Sequence, residues 1–427
     1  MKTLFRGATV ITMDNKRSEK YEILDVVVWD DIITFVGKNY DGDYDKVINA
    51  RGKIIMPGLI NAHTHLGMSI FRNTSDNLSL IDWLNKKTWP AEAKMTDDDI
   101  YIATLLSITE AILSGTTTCF DHYVGSSITI KAITESNIRC LFTNFLKDND
   151  GLGNERLKQF RKLYEDYKDK NDLITFCLAP HSMYSCSRNY LKKISYFATK
   201  YKLPVHIHYC ESINEINMIQ NLYKKDVVDA LIDTGLTDNK LILAHGVYLT
   251  DDELDRLRQY DISIVHNPIS NLVLGSGICD VRKLMDKNIN VCLGTDGAGS
   301  SFNINMFYHM SYVDLLQKGI YRNANIMNSY DVLKMATING AKAIGLDNMI
   351  GSIEVGKKAD IIMLDLSDIT IFPENNIISQ VVHNTSKNNI IMTMINGKIV
   401  ANYGKLTNNL NIDKLKYNIN KIINKVF

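Results

Sequence analysis

Eight short apolar runs separated by longer amphipathic segments constrain this chain more than any other feature. They are Ile54–Ile60, Thr116–Phe120, Ile138–Phe142, Leu173–Ala179, Pro204–His208, Lys240–His245, Asp261–His266 and Asn290–Gly294. Apolar runs of this length between turn signals read as strands buried on both faces. Between them Asp98–Leu113, Glu155–Tyr167 and Asn189–Tyr201 read as helices. Regular alternation predicts βα units on a parallel sheet, and eight units predict an α/β fold of the (β/α)8 barrel type. Outside this region the pattern changes. Ala8–Met13, Ile23–Trp29 and Ile32–Gly37 are β-rich, and strands return at Ala359–Leu364 and Ile390–Gly397. The expectation is a barrel over 54–353 beside a small β-sandwich built from 1–53 and 354–427. The Asn/Lys-rich tail after Asn408 is expected to be a surface helix.

Charge narrows the partners. Lys plus Arg and Asp plus Glu each total 48, so the formal net charge is zero. There is no basic excess to neutralise a nucleic acid and no cationic run for a membrane surface. No apolar stretch approaches the roughly twenty residues of a membrane span, and Met1–Gly7 does not open a signal peptide. The seven cysteines are scattered without a CxxC pair, as expected of reduced thiols in a cytoplasmic protein. Cys210, beside the fifth run, reads as packing.

In a parallel barrel every strand's C-terminal end opens on one mouth. The first run leads into Asn61-Ala62-His63-Thr64-His65, and strand alternation puts His63 and His65 on one face. The fifth run ends His206-Ile207-His208 with Glu211 three residues on, the sixth ends at His245, and Asp296 follows the eighth. His63, His65, His208 and Asp296 form a donor set for one divalent cation, with a position left for water. Zinc is the first expectation, iron or manganese the alternatives. His206, one layer deeper than His208, reads as structural. His266 in His266-Asn267-Pro268 receives no role. Asp121 and His122, ending the second run, are expected in the pocket wall. His309 and His383 read as surface or packing residues.

These residues stand in wider motifs. Pro57-Gly58-Leu59-Ile60-Asn61-Ala62-His63-Thr64-His65, Trp89-Pro90-Ala91-Glu92, Ala179-Pro180-His181-Ser182, His206-Ile207-His208-Tyr209-Cys210-Glu211 and Gly294-Thr295-Asp296-Gly297 are among them. With these the chain resembles, over nearly its whole length, the amidohydrolase superfamily in its mononuclear deaminase branch. It is most similar to the 5-methylthioadenosine/S-adenosylhomocysteine deaminases, with triazine chlorohydrolases nearby. Two-metal members carry a carboxylated lysine at the end of strand four, and Leu173–His181 contains no lysine.

The resemblance implies a hydrolytic deaminase of adenosine-type nucleosides, and roles for residues. Glu211 would protonate the ring nitrogen beside the reacting carbon, Asp296 would accept the water proton, and His245 would hydrogen-bond the attacking oxygen. Glu92 would accept the ribose hydroxyls, His181 would contact the nucleoside, and Trp83 would wall the pocket. Arg156 would meet the carboxylate of an S-adenosylhomocysteine tail, although read without the resemblance it is a helix-surface arginine. Asn144 stands where family members often carry a second arginine. A preference for 5′-methylthioadenosine, 5′-deoxyadenosine or adenosine follows, with Lys147 compensating in part. The alternatives are chloride or amine removal from triazine-like rings and guanine- or pterin-type deamination. Association of several copies is an expectation by analogy alone.

Overall fold

The computed structural model describes residues 1–427, a mixed α/β chain. The strands near both termini join in one nine-stranded sheet. Lys2–Val10, Glu22–Trp29 and Ile32–Gly37 form an antiparallel ribbon, and Lys46–Asn49 adds in parallel to the first of them. Ile361–Leu364, Ile390–Ile395, Lys398–Asn402 and Lys405–Leu406 supply the other half. The two halves are joined through Ile54–Pro57, parallel to Lys2–Val10 and antiparallel to Ile361–Leu364. Val10, Ile55 and Met363 share a register and one apolar face. Ile54, Met56, Ile362 and Leu364 point the other way, into the main core.

This corrects the first apolar run. Ile54–Ile60 is not one strand: it leaves the terminal sheet after Pro57 and enters a parallel sheet at Leu59. Gly58 makes the passage, because a Cβ there would lie 2.1 Å from Thr117 Cγ2. Seven successive apolar residues hide the break because Ile54–Pro57 and Leu59–Thr64 are buried at every position.

The eight parallel strands are β1 (Leu59–Thr64), β2 (Thr116–Asp121), β3 (Arg139–Phe142), β4 (Ile174–Phe176), β5 (Val205–Tyr209), β6 (Leu241–His245), β7 (Ile262–His266) and β8 (Asn290–Leu293). They form two four-stranded sheets, in the orders β4-β3-β2-β1 and β5-β6-β7-β8. The sheets meet at both margins. Leu178 and Ser182 bridge in parallel to Val205 and His208. On the other side the Thr295 and Asp296 N–H groups donate to the His63 carbonyl at 3.1 and 2.9 Å. Ile60, Phe120, Leu141, Ile242, Val265 and Cys292 pack together between the strands, while Cys119, Cys140, Leu243 and Ile264 lie in the larger core. Both strand faces are therefore apolar, which is why the runs lack polar alternation.

Helix Asp97–Leu113 starts at a capping box between Thr96 and Asp99. Tail helix Ile412–Val426 is more than a surface helix. Leu415, Ile419, Ile422 and Val426 recur at spacings of one helical stripe and are buried in a cluster with Met68, Phe71 and Trp83.

A buried ion pair clasps the parallel region to the terminal sheet. Arg139 Nε and Nη2 donate to Asp360 Oδ2 and Oδ1 at 2.8 and 3.1 Å, and Asn396 N–H donates to Oδ1 at 2.7 Å. The two side chains are 2% and 3% exposed. Removing one partner leaves a buried charge uncompensated, so Arg139→Met is expected to cost roughly 3–5 kcal/mol. Urea unfolding monitored by circular dichroism checks this, and an unchanged midpoint contradicts it.

Candidate active site

The C-terminal ends of β1, β5, β6 and β8 converge as their order requires. β1 carries His63, fully buried, and His65 just past its end, with a side chain 12% exposed. β5 carries His208, and Asp296 follows β8 with a backbone φ of 64°. An aspartate in the left-handed region costs of order 1–3 kcal/mol, which local bonds must offset. Here Ser270 and Ser300 hydroxyls donate to Asp296 Oδ2 at 2.5 and 2.8 Å, and Gly297 N–H donates to Oδ1 at 2.8 Å.

Each imidazole is held by Nδ1 and offers Nε2. His65 Nδ1–H donates to the His122 carbonyl at 2.5 Å and His208 Nδ1–H to the His181 carbonyl at 2.7 Å. His63 Nδ1–H points to His206 Nε2 at 3.0 Å. That leaves His63 Nε2 buried without a hydrogen-bond partner. His208 Nε2 and His65 Nε2 approach to 3.4 Å, and Asp296 Oδ1 lies 2.9 Å from His65 Nε2 and 3.6 Å from His63 Nε2. Unprotonated nitrogens this close repel unless a cation lies between them. Three imidazole nitrogens and one carboxylate oxygen at such spacing suit a divalent ion with ligand distances near 2.0–2.2 Å. Burial lowers the His63 pKa to about 3 and pushes that of His208 well down, favouring the neutral form that binds metal. Burial opposes charge on His65 too, but Asp296 outweighs it and raises the pKa.

The other expected residues divide. His206 acts as the structural partner its place predicted, orienting His63. His245, with φ 78°, donates from Nδ1 to Asn271 Oδ1 at 2.9 Å and turns Nε2 toward Glu211 Oε2 at 3.7 Å. Burial raises the Glu211 pKa, the Asp296 charge adds to this, and His245 opposes it. Asp121 accepts the Leu66 N–H at 2.9 Å, and burial raises its pKa to about 6. His122 packs its ring 4.4 Å from that of His208. His266 is buried in the core and His309 is buried against the Asn303 carbonyl.

Above the imidazoles opens a cavity lined by Glu211, His245, Asp296, Glu92, His181 and Trp83 among others. Trp83 serves as both wall and core, its Nε1–H donating to Thr74 Oγ1 at 3.0 Å. Glu92 Oε1 accepts from Tyr123 Oη at 2.6 Å, and burial raises its pKa. His181 Nδ1 meets Ser185 Oγ at 2.8 Å, and burial brings its pKa down to about 3. Arg156 lies outside this cavity, in an adjoining one with Asn144 and Lys147. Its guanidinium is already engaged, donating to both Asp150 oxygens at 2.7 Å and to the Lys147 carbonyl at 2.9 Å.

Sequence reasoning missed Trp89, Tyr123, Phe145 and Tyr184, which complete the cavity wall. Tyr123 and Phe145 follow the ends of β2 and β3, and position just past a strand end was the available signal. Glu215, whose side chain accepts the Glu211 N–H at 2.7 Å, was missed as well.

The family described as the amidohydrolase family matches residues 54–400. This chain belongs to the amidohydrolase family. It is 37% identical over 425 residues to a 5-methylthioadenosine/S-adenosylhomocysteine deaminase of Thermoanaerobacter pseudethanolicus, covering 99% of this chain and 98% of the relative. It is 36% identical to a 5′-deoxyadenosine deaminase of Methanosarcina acetivorans, covering 93% and 92% of the two chains. A zinc-bound adenosine deaminase from Xanthomonas campestris superposes with a TM-score of 0.95 at 27% identity, covering 99% and 98%. An Arthrobacter aurescens atrazine chlorohydrolase with zinc shares the fold, with a TM-score of 0.90 at 22% identity over 99% and 100%. No helix is long and apolar enough to cross a membrane.

Proposed function

We infer that this amidohydrolase is a metal-dependent deaminase of adenosine-type nucleosides, releasing ammonia and leaving the inosine analogue. Its substrates are 5′-methylthioadenosine, 5′-deoxyadenosine, adenosine and S-adenosylhomocysteine. The observation that carries the reading is Glu211, a buried carboxyl with a raised pKa in one cavity with His245, Asp296 and Glu92. A ring nitrogen needs a proton donor there, and a ribose needs an acceptor such as Glu92. A triazine would leave Glu92 without a purpose.

We read the eight parallel strands as a closed (β/α)8 barrel, with the terminal sheet as its sandwich. The barrel unit spans 58–353, which moves Ile54–Pro57 to the other unit, formed by 1–57 with 354–427. His63, His65, His208 and Asp296 would hold one ion, zinc before iron or manganese, since imidazole nitrogens suit zinc. Such an ion supplies Lewis acidity that brings the pKa of water from about 15.7 toward 7. The chain's own groups do the rest. Asp296 accepts one proton of the incoming water and hands it to the leaving amine, His245 hydrogen-bonds the incoming oxygen, and Glu211 protonates the ring nitrogen and regains a proton from that oxygen as it becomes the carbonyl. Glu92 holds the ribose hydroxyls, His181 contacts the nucleoside, and Trp83 closes the wall. A panel of purine nucleosides assayed for ammonia with the zinc-loaded protein tests the reading; release from guanine or chlorotriazines but not from 5′-methylthioadenosine defeats it.

The 5′ end carries a further expectation. Asn144 supplies no guanidinium, and Arg156 is held by Asp150, so a carboxylate tail lacks a free bidentate partner. kcat/KM for 5′-methylthioadenosine should exceed that for S-adenosylhomocysteine by about tenfold or more, the worth of one lost charge-assisted contact. Steady-state comparison checks it, and the reverse order refutes it.

A further inference from the structure

We propose that Glu215 is a positioning residue, whose carboxylate fixes the backbone of Glu211 and thereby the aim of the Glu211 carboxyl. The inference rests on the role proposed above for Glu211. After β5 the chain turns sharply, with Cys210 at φ 52°. The Cys210 carbonyl accepts the Val247 and Tyr248 N–H groups at 2.9 and 3.1 Å, tying this turn to the loop after β6. Glu211 comes next, and its N–H donates to Glu215 Oε2 at 2.7 Å. Helix Ile213–Tyr223 starts from Ser212, which caps the Glu215 N–H at 3.3 Å. A glutamate at this third helical position ordinarily reaches back to the cap residue's own N–H. Glu215 reaches one residue further, to Glu211.

The arrangement is costly for a helix cap. Glu215 is 3% exposed, and its Oε1 is buried without a partner. In the capping boxes of Thr96 with Asp99 and Thr250 with Glu253 the acid is only partly buried. Burying a carboxyl makes sense where the group it holds must not move. The Glu211 carboxyl is such a group: its Oε2 is 3.7 Å from His245 Nε2, too far for a hydrogen bond to lock it. The Ser276 hydroxyl lies beside the carboxyl, but its Oγ makes no hydrogen bond, so the direction of the carboxyl is set in good part by its own backbone, which Glu215 holds from inside.

The test uses the full chain loaded with zinc and 5′-methylthioadenosine as substrate. Glu215→Leu removes the acceptor, and Glu215→Asp draws it back by one methylene. Glu215→Gln keeps an amide oxygen for the Glu211 N–H. Leu and Asp are expected to lower kcat about 10–100-fold, the scale of a misplacement near 1 Å, with little change in KM. Gln is expected to recover most of the loss. In a Glu211→Gln background Glu215→Leu or Glu215→Asp should cost nothing further, because the effect passes through Glu211. Unchanged kcat in both Leu and Asp variants overturns the proposal. So does an undiminished loss in the Glu211→Gln background. Should Leu fail to fold, the Asp and Gln pair decides. If Glu211→Gln alone leaves kcat intact, the role of Glu211 has failed instead.

Discussion

Asp296→Asn is expected to abolish turnover and to strip the protein of its metal together. The substitution keeps the shape that Ser270, Ser300 and Gly297 hold, so the local fold has little reason to collapse. It removes the charge that draws His65 and His63 inward, and with it the anionic member of the donor set. His65→Ala makes the same cut from the other side. Elemental analysis should find well under one ion per chain in either variant. kcat should fall by at least about 10⁴-fold, since the pKa of water returns from near 7 toward 15.7. Thermal unfolding separates this from misfolding. A variant that folds, loses the ion and still turns over removes the basis of the metal reading. Chelation of the unaltered protein gives the same loss, restored by added zinc.

That donor set was legible in the sequence because chemistry and topology point to the same places. His63 and His65 share a face by strand alternation, and His208, His245 and Asp296 each stand at the end of an apolar run. Parallel strands have one mouth, so the order of runs predicts convergence without any contact being known. What stayed hidden depends on interactions the pattern does not encode. The break at Gly58 is masked because the strands on either side of it are buried at every position. Arg156 reads as a free cation until Asp150 is seen to hold it, six residues earlier in a loop with no periodicity. Trp89 opens a four-residue helix and Phe145 a two-residue strand, both too short for a spacing to show which way a side chain faces. The tail helix carries its stripe in the sequence, but the surface that covers it, helix Asp97–Leu113 and the segments after β1, comes together only in the tertiary structure. Glu215 looked like an ordinary first-turn acid, and only its burial distinguishes it.

Glu211→Gln should separate proton transfer from metal binding. The amide has nearly the same shape and leaves His63, His65, His208 and Asp296 in place, so metal content should match the unaltered protein. What disappears is a buried carboxyl able to give up a proton. Loss of a positioned general acid costs about 10²–10⁴ in kcat. KM should change little, because Glu92 and the aromatic walls, proposed above to bind the nucleoside, are the same in both forms. The pH dependence supplies a second sign. Burial and the Asp296 charge raise the Glu211 pKa, so the protonated form persists above the ordinary carboxylate range. Activity that needs that proton is present below the raised pKa and declines as pH climbs through it. The amide cannot titrate, so the residual activity of the variant should lack that decline. A variant with full metal, a normal Tm and undiminished kcat would mean that the ring nitrogen takes its proton elsewhere. Since kcat/KM reports free-enzyme ionisations, the comparison should be made on kcat/KM, where the assignment to Glu211 is direct.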